Sequence, residues 1–316
     1  MSTIEYTGLI VTTVELKTEK DGVPITSPQD NDGKTVYFTG NSSNGSKAYF
    51  LTNIKGTRTG WIGFRTWEYT GTIVSPAKAS EIVTDGFGNG KETIPLFCIH
   101  GHTNQINAKL ERAEEAKDDF KEAGTYYPVP VIWPNGTRNV LDYIPNQRLS
   151  EEAGTLFRCF IECIPNGQFP RKSLMMFSMG NFLVHSGKEG NPLDVQFDNI
   201  FMVAADIRAD IFSDNPRDEE DKEKAENWKE LLGKNGGKIF VFHSRRDLAL
   251  IASASSFNFG RQRIGLQGTT GTTRDEFEDI VENVNATENV NVGFLGHGYE
   301  YEKWTIQQYN ELSTKK

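Results

Sequence analysis

From Thr93 onward, short apolar runs alternate with amphipathic segments, and this alternation most limits what the chain can fold into. The runs that we interpret as buried strands are Ile94–Ile99, Val129–Trp133, Leu174–Phe177, Ile200–Ala205, Ile239–Phe242 and Val290–Leu295. The main helices predicted around them span 104–123, 150–164, 216–232 and 302–312. Strands that alternate with helices are typical of a mostly parallel sheet with helices on both faces. The sequence therefore predicts an α/β fold with such a central sheet.

Residues 1–92 have a different character, because they are rich in Thr, Gly, Val, Tyr and Phe. Strand-like runs, separated by Gly, Asn and Asp turns, lie at Leu9–Val14, Tyr37–Phe38, Tyr49–Leu51 and Trp61–Phe64. This pattern predicts a β-rich section of roughly four to six antiparallel strands. The section forms either the antiparallel edge of the main sheet or a small subdomain. We therefore divide the chain into this N-terminal section, 1–92, and an α/β domain, 93–316.

The composition limits the possible partners. The chain has 316 residues, 37% of them hydrophobic, with a net charge of −9 and a pI near 5.2. A negative chain is poorly suited to non-specific binding of nucleic acid or of anionic membranes. No run approaches the roughly 18 apolar residues of a membrane span. The expected partner is a small-molecule substrate, with no nucleic acid and no membrane span.

The cysteines and two of the histidines are predicted to be structural. Cys98, Cys159 and Cys163 are an odd number with no metal-ligand spacing, which favours a reducing compartment. His185 and His243 are predicted to pack within the fold. No metal and no other cofactor is expected, because no His/Asp pair has ligand-like spacing. The first residues lack the basic-then-apolar pattern of a signal peptide, so a cytoplasmic location is expected unless a leader has been removed.

The apolar run Leu174–Phe177 ends at Ser178, and a helical pattern follows after Met179 and Gly180. This layout is that of a nucleophile elbow, in which a strained strand-to-helix turn raises a serine hydroxyl above the sheet. The usual form is G-x-S-x-G, but Met176 occupies the position of the first glycine. Gly180 permits the close approach of strand and helix. Because Ser-x-Gly is common in loops, the motif alone does not exclude a serine in an ordinary turn between a strand and a helix.

Four polar residues follow predicted strands: Ser178, Asp206, Asp247 and His297. The carboxyl ends of parallel strands meet at one edge of a sheet, where ligands bind. A catalytic serine needs a base, and the base needs an acid that orients it. Ser178, Asp247 and His297 occur in the chain order Ser…Asp…His that this architecture uses. Asp247 is the first choice for the acid and Asp206 the alternative, although either would also serve as a cap for the segment that follows.

The strand Ile94–Ile99 leads into His100 and Gly101, where this architecture places its oxyanion loop. The backbone N–H of His102 or Thr103, together with that of Met179, is predicted to stabilise a developing oxyanion. The side chain of His100 is expected to be structural.

Taken together, these residues resemble the α/β-hydrolase superfamily, and more closely an uncharacterised branch of it that is widespread in bacteria. The motifs that carry the resemblance are His100-Gly101-His102-Thr103-Asn104, Trp133-Pro134, Ser178-Met179-Gly180-Asn181, Ala204-Ala205-Asp206, Ser244-Arg245-Arg246-Asp247-Leu248-Ala249-Leu250 and Gly296-His297-Gly298. They occur in order over about residues 93–300, and their agreement in register is more specific than any one of them.

The resemblance implies a catalytic α/β-hydrolase domain with Ser178 as nucleophile, Asp247 as acid and His297 as base. Two residues depart from the branch: Met176 replaces a small residue and Phe177 a polar one, and both are expected to reshape the pocket. The function predicted is a serine hydrolase of the esterase type, acting on carboxylic esters through an acyl-enzyme. The alternatives are an acyltransferase and a catalytically silent binding protein, because fold does not guarantee function.

Overall fold

The structure is a computed structural model that describes residues 3–18, 25, 27–40, 47–60, 66–88, 90–101, 106–134, 154–164, 167–185, 195–233, 236–257, 260–290 and 296–314. The strands are β1 Thr3–Tyr6, β2 Ile10–Thr12, β3 Lys17–Thr18, β4 Thr35–Phe38, β5 Tyr49–Thr59, β6 Thr66–Val74, β7 Ile94–Ile99, β8 Tyr126–Ile132, β9 Ser173–Phe177, β10 Asn199–Val203, β11 Lys238–His243 and β12 Val281–Asn285. The helices are α1 Pro28–Asn31, α2 Pro76–Asp85, α3 Ile106–Glu115, α4 Lys117–Ala123, α5 Gly154–Glu162, α6 Phe182–His185, α7 Glu220–Glu230, α8 Leu248–Ala252, α9 Ile264–Gln267, α10 Asp275–Glu278 and α11 Lys303–Thr314. A 3₁₀ turn, Ser178–Asn181, precedes α6, and a π-helical segment, Ser253–Phe257, follows α8.

The described strands form a sheet of 12 strands. Along its main part the order is β12-β11-β10-β9-β7-β8-β2, and all of these neighbours are parallel. The carboxyl ends of β9, β10 and β11 therefore lie side by side at one edge. The predicted mostly parallel central sheet is confirmed.

Helices cover both faces of this sheet. Along β9, Leu174 and Met176 belong to one apolar cluster, whereas Met175 and Phe177 belong to another, as expected for side chains that alternate across a strand. The first cluster includes residues of α2, α5 and α7, and the second includes residues of α4 and α11. A strand buried on both faces reads as a continuous apolar run, which is why β9 was recognisable in the sequence.

The N-terminal strands continue the same sheet. β2 pairs in parallel with β8 on one side and antiparallel with β5 on the other, and β6, β4 and β3 follow antiparallel. β2 thereby covers the edge of β8, which otherwise would expose unpaired backbone groups. The antiparallel N-terminal section is confirmed, whereas the domain boundary near residue 92 stays a prediction.

Several elements differ from the predicted ones. The predicted helix 104–123 is divided at Ala116 into α3 and α4, and α2, β6 and β12 were not predicted. The predicted strand 61–64 and residues 291–295 of the predicted strand 290–295 lie outside the described residues, and Val290 itself is in no strand. No helix in the described parts of the chain is long and apolar enough to cross a membrane.

Candidate active site

Ser178 is the first residue after β9 and begins the 3₁₀ turn. Its φ of 52° lies in the left-handed region, which is costly for a residue with a Cβ. The buried side chain of Asn181 holds the turn, because its Nδ2 donates to the carbonyl of Met176 at 3.1 Å and to that of Ser178 at 2.9 Å. The strained backbone conformation thus falls on the residue that carries the hydroxyl.

Gly180 is required by a close approach of two backbones. A Cβ at this position would lie 2.7 Å from the carbonyl oxygen of His100 and 3.0 Å from that of Ile99. Neither backbone oxygen can move without displacing the end of β7. The glycine therefore lets the turn at Ser178 pack directly against the neighbouring strand.

The structure brings His297 between Ser178 and Asp247. Its Nδ1 lies 2.7 Å from Oδ2 of Asp247, and its Nε2 lies 2.9 Å from Oγ of Ser178. A carboxylate only accepts hydrogen bonds, so the neutral imidazole carries its proton on Nδ1 and accepts from the serine hydroxyl at Nε2. The three side chains form one hydrogen-bonded chain, although the residues are far apart in the sequence.

Asp247 is held rigidly at the start of α8. It is fully buried and is the N-cap of the helix, since its Oδ1 accepts from the backbone N–H of Leu250 at 3.0 Å. Its other oxygen is the one that faces His297. The chain at Gly296 passes so close that a Cβ there would lie 2.5 Å from the carbonyl oxygen of Arg246. This contact brings the His297 backbone against the segment that carries the acid.

The surroundings of His297 favour its protonated form. Burial is the largest single influence and lowers the pKa of the imidazole, but the charge and hydrogen bond of Asp247 raise it, and Asp206 and Glu300 add to this. The net result is a raised pKa. The side chain is only 20% exposed, so these charges act across little water. The site thus favours the imidazolium that would form when the serine gives up its proton.

Asp206 belongs to a separate buried cluster. Its Oδ1 accepts from the hydroxyl of Ser253 at 2.7 Å and lies 3.2 Å from Nε of Arg263. Its backbone N–H donates to the carbonyl of Ser178 at 3.3 Å. The hydrogen bond to the His297 ring is thus made by Asp247, the first choice from the sequence.

The other histidines described here are buried away from this chain of hydrogen bonds. Burial lowers the pKa of His100 to about 3, with Lys109 adding to the effect. Its Nδ1 donates to the carbonyl of Gly101 at 3.0 Å, and its ring stacks on Trp133. His185 lies at the end of α6, and burial lowers its pKa to about 3 as well.

The predicted oxyanion donors are only partly described. Met179 is buried directly after Ser178, whereas His102 and Thr103 lie outside the described residues. Gly101, just before them, packs against the serine, since a Cβ on it would lie 2.8 Å from the Ser178 Cβ. The oxyanion assignment stays a prediction. Within the described part of the chain, no group of three or more His, Cys, Asp or Glu side chains is arranged to hold a metal ion.

Charged residues near the site were missed by the sequence analysis. Lys109 and Arg112 of α3 lie beside the buried carboxylate of Glu300, three residues after His297. Arg263 lies beside Asp206. The sequence predicts a charged amphipathic helix over 104–123, but its pattern does not indicate that Lys109 and Arg112 contact a buried glutamate.

The chain was compared with known proteins. No curated protein and no solved structure matches it. Residues 77–314, about three quarters of the chain, match a family described as "Alpha/beta hydrolase of unknown function (DUF900)". The match extends beyond both ends of the predicted resemblance, and the predicted superfamily is confirmed. The chain is a member of this α/β-hydrolase family of unknown function.

Proposed function

We propose that the protein is a serine hydrolase that cleaves carboxylic esters through an acyl-enzyme on Ser178. The observation that supports this most is the hydrogen-bonded chain Ser178–His297–Asp247, with separations of 2.9 and 2.7 Å. A base within hydrogen-bond reach of the nucleophile, itself oriented by a third group, is the arrangement that nucleophilic catalysis needs. Membership of an α/β-hydrolase family is consistent with it.

In the proposed reaction, Oγ of Ser178 attacks the carbonyl carbon of the ester while Nε2 of His297 accepts the hydroxyl proton. The carbonyl oxygen becomes an oxyanion, for which the backbone N–H of Met179 and that of His102 or Thr103 are the proposed donors. The imidazolium, stabilised by Asp247, donates its proton to the departing alkoxide, and the C–O bond to the alcohol breaks. The product of this half-reaction is an acyl ester of Ser178.

Water completes the cycle. His297 takes a proton from a water molecule, whose oxygen attacks the acyl carbon, and the second tetrahedral intermediate collapses to release the carboxylic acid. The proton on the imidazole returns to Oγ of Ser178. Each half-reaction therefore leaves the proton count of His297 unchanged, and no cofactor is consumed.

A fluorophosphonate probe and p-nitrophenyl esters of short acids test the proposal. The wild-type protein is expected to be labelled at Ser178 and to release p-nitrophenol, and Ser178→Ala is expected to lose both activities. Ser173→Ala is the matched control, since Ser173 is a buried serine at the other end of β9, where its hydroxyl contacts that of Tyr126. Folded wild-type protein that is neither labelled nor active would contradict the proposal and favour a non-catalytic binding protein.

A further inference from the structure

Two cations of α3, Lys109 and Arg112, face the loop that carries His297. They are three positions apart and so share a face of the helix. The side chain of Lys109 is 4% exposed, and both lie beside Glu300, which is 1% exposed. Charged side chains are seldom buried unless they are paired, so this cluster requires an explanation.

Arg112 holds the loop at two points. Its Nη1 donates to Oε1 of Glu300 at 2.9 Å and its Nη2 to Oε2 at 3.2 Å, a bidentate arrangement. Nη2 also donates to the backbone carbonyl of Gly298, the residue directly after His297. Glu300 is fixed at its backbone as well, because the hydroxyl of Tyr309 in α11 donates to its carbonyl at 3.0 Å. The backbone on the C-terminal side of His297 is thereby tied to α3.

Lys109 extends this contact to the end of β9. Its Nζ lies 4.0 Å from Oε1 of Glu300 and 5.2 Å from the centre of the Phe177 ring. The Phe177 ring in turn packs against the ring of His297, with 4.8 Å between centres. Phe177 immediately precedes Ser178. One face of α3 therefore contacts the residue before the serine and the residues after the histidine.

A contribution to the stability of the fold does not by itself explain why Lys109, Arg112 and Glu300 are placed together. Taking charges out of water costs about as much as their mutual attraction returns, and apolar replacements of buried ion pairs are often neutral or stabilising. Geometry offers a better reason. The described residues 296–298 belong to no helix or strand, so the position of His297 depends on contacts that its loop makes with neighbouring elements. The hydroxyl of Tyr299 donates to the carbonyl of Phe242 in β11 at 3.2 Å, and Arg112 supplies the contacts from α3. A misplacement of about 1 Å can cost a hundredfold in rate.

We propose that Arg112 and Glu300, supported by Lys109, are positioning residues that hold His297 at hydrogen-bonding distance from Ser178 and Asp247. We call these three side chains the α3 clamp. The inference rests on the proposed function for its effect on turnover, whereas the contacts themselves do not depend on it.

The α3 clamp also has an electrostatic consequence. The charged groups that act on His297 are Asp247, Asp206 and Glu300, and each raises its pKa against the effect of burial. Among the described residues, the titratable groups that interact electrostatically with Glu300 include Lys109 and Arg112 of α3, Cys98 of β7, and Tyr299, Tyr301 and Tyr309. Replacing Glu300 by glutamine removes one of the negative charges that raise the pKa of His297, so this pKa is expected to fall.

Lys109 makes the fall in the pKa of His297 in Glu300→Gln smaller, but it does not reverse it. Burial lowers the pKa of Lys109 to about 7, while Glu300 raises it. When Glu300 is replaced, Lys109 loses its proton more readily, so less positive charge remains near the imidazole. The acid limb of the plot of kcat/KM against pH reports the pKa of His297 in the free enzyme. In Glu300→Gln this limb is still expected to move to lower pH.

Steady-state kinetics on p-nitrophenyl butyrate test the proposal. Arg112→Met is expected to lower kcat by about tenfold or more with KM nearly unchanged, since it moves the base and not the substrate. The fraction of protein that the fluorophosphonate labels at saturation should stay at the wild-type level. Arg112→Lys keeps the positive charge but loses the bidentate hydrogen bonds of the guanidinium, so its kcat should lie between those of the wild type and Arg112→Met. Glu300→Gln should move the acid limb to lower pH.

Arg274→Met is the matched control. Arg274 is an ion-paired arginine like Arg112, with its Nη1 3.1 Å from Glu276 and its guanidinium over the ring of Phe277. Its side chain is 12% exposed, against 30% for Arg112, and it contacts neither His297 nor Ser178. Its loss should leave kcat and the acid limb within error of wild type. If Arg112→Met does not fold by circular dichroism, Arg112→Lys and Glu300→Gln decide the question.

A second measurement does not need turnover. The Nδ1 proton of His297, bonded to Asp247, should give a downfield proton resonance in wild type and in Arg274→Met. The α3 clamp predicts that this resonance broadens or disappears in Arg112→Met. An active wild type together with clamp variants that keep wild-type kcat, acid limb and resonance would overturn the clamp alone. If the wild type is inactive, but the resonance is present in wild type and Arg274→Met and lost in Arg112→Met, the proposed function is wrong and the α3 clamp is supported.

Discussion

Two buried carboxylates, Asp247 and Asp206, lie near His297, and they differ in what their oxygens bind. One carboxylate oxygen of Asp247 accepts a hydrogen bond from a backbone N–H in the first turn of α8, and the other accepts from the imidazole. Asp206 is engaged by Ser253 and Arg263. Both raise the pKa of His297, but only Asp247 also acts through a hydrogen bond. The proposed roles therefore separate into orientation by Asp247 and a longer-range charge effect by Asp206.

Asp247→Asn tests this separation. An amide that donates to Nδ1 stabilises the wrong tautomer of His297, so kcat is expected to fall by roughly 10³- to 10⁴-fold. Asp206→Asn is the matched control: it leaves the Nδ1 bond in place and should lose far less activity. Stopped assays of both variants across pH provide the measurement. Equal losses, or a larger loss in Asp206→Asn, would contradict the assignment of the acid.

The sequence was sufficient to nominate Ser178, Asp247 and His297, because each follows a predicted strand and their order suits a parallel sheet. The strand predicted before His297 spans 290–295, and its residues 291–295 lie outside the described part of the chain. The sequence favoured Asp247 as the acid but left Asp206 as an alternative, since an N-cap and a histidine partner look alike in the pattern. It also missed the α3 clamp. Whether a lysine on an amphipathic helix faces water or a buried glutamate depends on tertiary packing, which helical periodicity does not encode.

At the scale of the elements, the 3₁₀ turn between β9 and α6 has no room for a side chain at Gly180. Gly180→Ala is expected to destabilise the fold by about 1–3 kcal/mol, because its Cβ would overlap the backbone oxygens of His100 and Ile99. The displaced turn should also lower the rate of fluorophosphonate labelling. Urea denaturation and labelling kinetics measure the two effects.

Gly233→Ala is the control for this change. Gly233 has ordinary backbone angles, and its nearest contact would be the carbonyl oxygen of Phe197 at 3.4 Å, an ordinary van der Waals distance. Little change in stability is expected there. A Gly180→Ala variant as stable as Gly233→Ala would show that the end of β7 can move aside.

Elements were predicted well where both of their faces are buried, and poorly elsewhere. The strands β7, β9 and β11 are continuous apolar runs and were recognised. β12 was missed because its sequence, Val281-Glu282-Asn283-Val284-Asn285, is mostly polar, as an edge strand can be. α2 was missed although Ser75 caps it and Pro76 occupies its first turn.

At the scale of the whole molecule, the buried histidines make stability depend on pH. His100 and His185 both have a pKa of about 3 in the folded state, lowered mainly by burial, against about 6.5 in an unfolded chain. Below pH 6.5 the unfolded state binds protons that the folded state does not. The stabilisation is therefore complete above pH 6.5 and is lost progressively as the pH falls toward 3.

His185→Leu measures one of these contributions. The wild type should lose more stability between pH 7 and pH 5 than the variant does, by about 2 kcal/mol for a single histidine with these pKa values. The substitution leaves Asp221 paired, since its Oδ2 lies 3.1 Å from Nη1 of Arg208. Phe182→Leu, one turn earlier and in ring contact with His185, is the matched control and should lower stability equally at both pH values. Urea titrations of the three proteins at the two pH values give the six free energies of unfolding. If His185→Leu kept the full wild-type pH dependence, the histidine would have to accept its proton within the fold, and the acid sensitivity would have to come from other groups.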